Sequence, residues 1–247
     1  MKFTFSIITS NNSIDFHIEK IIDSIFINNI PKDSYEIIVI GGDGKWYDSN
    51  KHDSNVKWIS LDESTNENWY VKKKNLIADY ALFENIVYSH DYFLYSSNWY
   101  DGFLRFGEDW DLCMTIVKNK DGSRFRDWCV YDDPKLNWPY GHEPINFDDT
   151  HRIMLPAYKY KKNKYMYISG GYWLAKKHVM LQEPINIDLK WGQSEDIEWS
   201  MRVRKKYKYV MNTNSVVSSL KEKRLSADYV EDSEKYTTPG WEKNIND

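Results

Sequence analysis

Over the first 95 residues the apolar side chains switch back and forth between two periods, and this alternation restricts the fold more than any other feature. "FTFSIIT" (3 to 9) is a compact β-type run, and "SIDFHIEKIIDSIFINN" (13 to 29) then places Ile18, Ile21, Ile22 and Ile25 on one helical face, with Asn12 or Ser13 available as a cap. "YEIIVIGGD" (35 to 43) predicts a second buried strand, closed by glycines and an Asp, and "VKWISLD" (56 to 62) a third. "YVKKKNLIADYALFE" (70 to 84) predicts a second helix with Leu76, Tyr80 and Phe83 on one side, and "NIVYSHDYFLY" (85 to 95) a fourth strand. Strands that alternate with helices pair in parallel through right-handed crossovers, and such sheets bind ligands beyond the carboxyl ends of their strands. Ser89, His90 and Asp91 fall toward such an end.

The second half has a different texture. "DWDLCMTIV" (109 to 117) and "RFRDWCVY" (124 to 131) flank an Asp121-Gly122 turn and predict an antiparallel hairpin. The aromatic and proline-rich stretch "DDPKLNWPYGHEPINFDDTH" (132 to 151) is longer than an inert connection needs to be, which suits a lid or binding loop. "YMYISGGYWLAK" (165 to 176) is strand-like around a Gly170-Gly171 break, "WGQSEDIEWSMRVRKKY" (191 to 207) is a loop entering a helix, and "KYVMNTNSVVSSLK" (208 to 221) is a last strand. Residues 225–247 read as a polar tail.

Of the 247 residues 41% are hydrophobic, enough for one large α/β domain, a simpler reading than two small ones. We expect a single domain over 1–224, with a donor half of about 1–95 and an acceptor half of about 96–224. The formal net charge is −4 with both signs spread along the chain, which argues against a nucleic-acid partner. The start, "MKFTFSIITSNN", enters a strand pattern without the basic and apolar regions of a secretory leader, and no stretch approaches a membrane span, so a soluble, cytoplasmic protein is expected. Cys113 and Cys129 are too few for a disulfide framework and lack metal-ligand spacing. Buried free thiols are expected, although a hairpin would also bring the two together.

The opening strand and helix, "IIVIGGD", "KKKNLIADYALFE", "VYSHDYF", the "SGG" turn and "WGQSEDIEWSMR" occur in an order that resembles nucleotide-sugar-dependent glycosyltransferases of the GT-A fold, most like family 2. The resemblance covers roughly residues 3 to 221. It implies a Rossmann-like, mostly parallel central sheet with helices on both faces and an antiparallel acceptor-side portion. It also implies transfer of a sugar from a nucleoside diphosphate, UDP favoured, to a hydroxyl of a glycan or other acceptor, with Mn²⁺ or Mg²⁺ neutralising the diphosphate.

In that family an Asp-x-Asp closes the fourth strand and its last Asp touches the metal. Ser89, His90 and Asp91 occupy those places here, so Asp91 is the candidate metal ligand, the first carboxylate is missing, and Ser89 and His90 become donor-side candidates. A strand terminus running into solvent would carry the same residues. The resemblance makes Asp196 the general base of an inverting transfer and lets Glu195 bond the acceptor. Acids at a helix start are also ordinary capping. Thr9, Asn11 and Asp43 match donor nucleoside contacts, and Lys74 and Asn75 match a basic residue and an Asn near the nucleotide. Asp43 equally suits a turn and the lysines a solvated helix face.

Gly170, Gly171, Tyr172, Trp173 and Trp191 are the acceptor-side candidates, with Trp138, Tyr140, His142 and His151 as further sugar or metal contacts and Arg124 and Arg126 as an anion clamp. After the last strand, where relatives frequently carry a metal-completing histidine, this chain has Ser218 and Ser219, and Lys221 or Lys223 offers a positive charge in its place. Two other readings compete: a degenerate GT-A domain that binds a glycan or a protein, and a nucleotidyltransferase. The second lacks its glycine-rich phosphate loop, since that position reads "TSNNSID".

Overall fold

A strand covered by helices on both sides has no solvent face, and β1 (Phe3–Ile8) is buried at every position. The computed structural model describes residues 1–10, 15–45, 47–48, 54–64, 69–123, 125, 130–131, 152–153, 168–189, 195–203 and 206–221. After β1 come α1 (Asp15–Phe26), β2 (Tyr35–Ile40), β3 (Val56–Ile59), α2 (Tyr70–Tyr80), β4 (Asn85–His90), β5 (Phe93–Tyr95) and α3 (Trp99–Phe106). Then follow β6 (Leu112–Lys118), the short pair β7 (Val130–Tyr131) and β8 (Arg152–Ile153), β9 (Tyr172–Lys176), α4 (Lys177–Gln182), α5 (Glu195–Val203) and β10 (Tyr209–Ser219).

Eight strands form one sheet in the order β3-β2-β1-β4-β9-β6-β10-β5. The donor-half strands pair in parallel as the sequence predicts, and within the sheet β9 and β5 run against the others. Strands from both halves of the chain therefore share one sheet. Helices α1 and α3 cover one face, where Ile18, Ile21, Ile22 and Ile25 are buried as expected and Phe3 meets Trp99 edge-on at 5.1 Å. Helices α2, α4 and α5 cover the other, tied by Asn75, whose side chain exchanges two hydrogen bonds with the backbone of Ile185 (2.8 and 2.9 Å).

The structure departs from the sequence reading in four places. Residues 85 to 95 are two strands: the chain turns at Asp91 and Tyr92, and β5 pairs with β10 at the far edge of the sheet. Helix α2 ends at Tyr80, which is exposed, and buries Val71, Lys73, Lys74, Ile77 and Ala78 in place of the expected Tyr80 face. Lys73 and Lys74 are buried because each has a carboxylate partner, which hydrophobic periodicity does not register. The Asp121-Gly122 turn forms, with Gly122 at φ +84°, and Phe125 N–H donates to Val117 O, but the expected hairpin does not continue among the described residues: β6 pairs with β9 and β10, and Val130–Tyr131 pair with β8 in a separate two-stranded sheet, while 124 and 126–129 lie outside the described residues. Helices α3 and α4 were not anticipated. Cys113 is buried with a free thiol, as expected, and Cys129 is not described.

Candidate active site at the strand ends

The order β2-β1-β4 places the topological switch between β1 and β4, and the crevice beyond their carboxyl ends is where side chains gather. Thr9, next after β1, donates its hydroxyl to Asp91 Oδ2 at 2.9 Å, closing the ends of the two strands onto each other. Lys73 rises beneath this point from α2, donating to Thr9 O at 2.6 Å and pairing with Glu63 Oε1 at 2.6 Å. Burial lowers its pKa, opposed by Glu63 and Asp91. The chain crosses above it at Gly41, where φ is +92° and a Cβ would stand 2.5 Å from Thr9 O and 2.7 Å from Lys73 Nζ, so only glycine fits.

His90, on the α2 face of the sheet, stacks on the ring of Tyr70 (centroids 4.8 Å apart, planes at 27°) and meets Tyr92 edge-on at 5.6 Å. Its backbone N–H donates to Gly171 O at 2.8 Å. On the other side of that turn, Gly170 N–H donates to Asp196 Oδ2 at 3.1 Å. The Gly170-Gly171 turn thus links the β4 end to the first turn of α5, a helix end whose dipole favours an ionised carboxylate. Beside Asp196, Glu195 pairs with Lys74 at 3.0 Å with both side chains largely buried. Burial alone raises the Glu195 pKa, but the Lys74 ammonium outweighs it and the carboxyl ends below its ordinary value.

No protein-family model matches the sequence, and no curated protein matches it either. Solved structures do. Residues 1–349 of TarS from S. aureus superpose with a TM-score of 0.57 at 14% identity, over 89% of this chain and 60% of that one. The mannosyltransferase PcManGT from Pyrobaculum calidifontis, solved with GDP-Man and Mn²⁺, gives 0.57 at 13% over 90% and 58%. GalNAc-T7 with UDP, GalNAc and Mn²⁺ gives 0.57 at 11% over 88% and 43%. The chain has the GT-A fold. At such identities the likeness concerns the fold alone, and the chain spans 36 to 62% of the lengths of the structures it matches.

Within the GT-A sheet the candidates separate into groups. Thr9, His90, Asp91, Gly170, Gly171 and Asp196 are joined by the bonds described above. Asp43 lies on the exposed rim, bonded to Lys45, on the Gly41 to Gly44 turn that passes over Thr9. Lys74 points toward Glu195 and Asn75 toward Ile185. Ser89 is wholly buried and its hydroxyl donates to His90 O on the face that carries Tyr95, so it does not reach the crevice.

Tyr172 and Trp173 need correction as sugar platforms, because both are 0% exposed. The Tyr172 hydroxyl accepts from Trp99 Nε1 at 2.9 Å, and Trp173 is stacked on Tyr88 and packed at a tilt against Trp199. Asn11 and Trp191 lie outside the described residues, as do Arg124, Arg126, Trp138, Tyr140, His142 and His151. The sequence reading missed Lys73, Glu63 and Tyr70. Tyr70, Lys73, Lys74 and Ile77 share a helical face at i, i+3, i+4 and i+7, a signal that was present but discounted because the lysines are charged.

A divalent cation beside Asp91 is the cofactor that the resemblance implies, and the described residues do not by themselves make a ligand set for it. The first carboxylate is Ser89, turned into the core; Asp91 Oδ2 already receives the Thr9 hydroxyl; and the His90 ring is stacked on Tyr70. Among the described residues no three His, Cys, Asp or Glu side chains gather as a ligand set. Among the described residues no helix is long and apolar enough to cross a membrane.

Proposed function

We propose that this chain transfers a sugar from a nucleoside diphosphate, UDP favoured, to a hydroxyl of a glycan or other acceptor, with inversion. The observation that carries the reading is the bonded line from Thr9 and Asp91, through His90 and the Gly170-Gly171 turn, to Asp196. In this reading the donor crevice and the helix-end carboxylate lie on the two sides of one turn. In this reading the acceptor oxygen gives its proton to Asp196 and bonds the anomeric carbon. The bond from that carbon to the phosphate oxygen breaks, and its electron pair leaves on the diphosphate. Glu195, held by Lys74, orients the start of α5. No step is assigned to a metal.

Residues 1–224 are taken as one glycosyltransferase domain, a soluble one acting in the cytoplasm, with 222–247 outside the described residues. Asp196→Asn tests the base. Titration with UDP and its sugar conjugates should match the unaltered chain, while turnover falls by about 10² to 10⁴-fold. Near-normal transfer by the variant would remove Asp196 from the mechanism. Ser89, buried where a carboxylate is expected, favours the second reading, a GT-A domain that only binds a glycan or protein. That reading predicts no uptake of any nucleotide.

A further inference from the structure

The strand β10 returns the chain to the turn where β4 ends. It pairs with β5 through Ser219 opposite Phe93, and Leu220 N–H then donates to Tyr92 O at 2.7 Å. Lys221 follows. Its backbone N–H donates to Ser219 Oγ at 3.1 Å and its carbonyl accepts from the same hydroxyl at 2.5 Å, so the turn that presents it is tied at both ends. Its ammonium lies 4.7 Å from the centroid of the Tyr92 ring, next to Asp91 in the chain. His17 on α1 lies within electrostatic range of the same corner: burial lowers its pKa, Asp91 opposes the shift, and Lys20 and Lys221 add to it. An exposed lysine thus stands at the strand-end corner where the described residues offer a cation too few ligands.

We infer that Lys221, flanked by His17, is the counter-charge for the departing diphosphate, so that donor binding and transfer proceed without a divalent cation. The inference rests on the donor reading above. When the bond between the anomeric carbon and the phosphate oxygen breaks, the electron pair stays on that oxygen. The Lys221 ammonium balances the charge gained there while the acceptor proton goes to Asp196. Lys73 does not compete for this task, because it is fully buried and already joined to Glu63 and Thr9.

Calorimetric titration of the full chain with UDP and with GDP, in EDTA and again in Mn²⁺, tests this without reference to turnover. One nucleotide should bind with affinities that agree within about twofold in the two conditions. Lys221→Ala should weaken it at least about tenfold, and Lys221→Arg should restore most of the loss. Binding that requires Mn²⁺, or that Lys221→Ala leaves unchanged, overturns the inference while the donor reading stands. No binding of either nucleotide in either condition overturns both.

Discussion

At Gly170 a single methyl group would stand 2.8 Å from Asp196 Oδ2, and at Gly171 it would stand 2.6 Å from the Tyr92 hydroxyl. The two substitutions should therefore fail differently. The carboxylate is the free end of a side chain and can swing away, so Gly170→Ala should leave the fold and nucleotide affinity intact and lower turnover by about a hundredfold, as a displaced reacting group does. Parallel titration and rate measurements check it, and unchanged turnover would detach Asp196 from the turn. Gly171→Ala presses on the packed rings of Tyr92 and Phe93 and should lower thermal stability as well. Residue identities of this kind were legible in part. The glycines and both acids stood out in the sequence, whereas the inward turn of Ser89 and the burial of Tyr172 and Trp173 depend on which face of β4 and β9 meets which helix.

Helix α2 joins the two sides of the site. Lys73 reaches the β1 end and Lys74 reaches Glu195 on α5, and both lysines are buried. Lys74→Met would leave the Glu195 carboxylate buried without its cation, at a cost of about 3 to 5 kcal/mol, and Lys74→Met combined with Glu195→Leu should recover much of it. Chemical denaturation of the four combinations measures the coupling. The folded pKa of Glu195 lies below its ordinary 4.5, so its contribution is present above that value and is lost as pH falls through the lower, folded one. Glu195→Gln should accordingly flatten the loss of stability in that acid window, and an unchanged acid profile would contradict the pairing. Apolar periodicity revealed α1 and the parallel strands because their faces are made of isoleucine, valine and phenylalanine. It misjudged α2, whose inner face includes two paired lysines, and passed over α3, where Trp99 and Phe103 fill one face and Gly107 at φ +88° ends the helix.

Across the whole molecule, the fold was readable because the order of strands and helices admits few topologies, and the observed β3-β2-β1-β4 half follows from it. The mixed second half was harder, since β9 enters between β4 and β6 from late in the chain, and long-range pairings leave no local periodicity. Because the crevice is assembled from the ends of β1, β2 and β4 together with α2, a ligand held there should stabilise the protein as a unit. At a hundredfold excess over its Kd a nucleotide should add about 2.7 kcal/mol, a shift of several degrees in Tm. The most direct test of a donor site is calorimetric titration with UDP, GDP and a panel of their sugar conjugates, repeated on Asp91→Ala. The donor account predicts that one nucleotide class binds with a Kd between about 1 μM and 1 mM and that Asp91→Ala, which removes the acceptor of the Thr9 hydroxyl and so loosens the junction of the β1 and β4 ends, weakens it severalfold. If no nucleotide binds at millimolar concentration, the GT-A sheet serves as a binding module and the account of transfer is wrong.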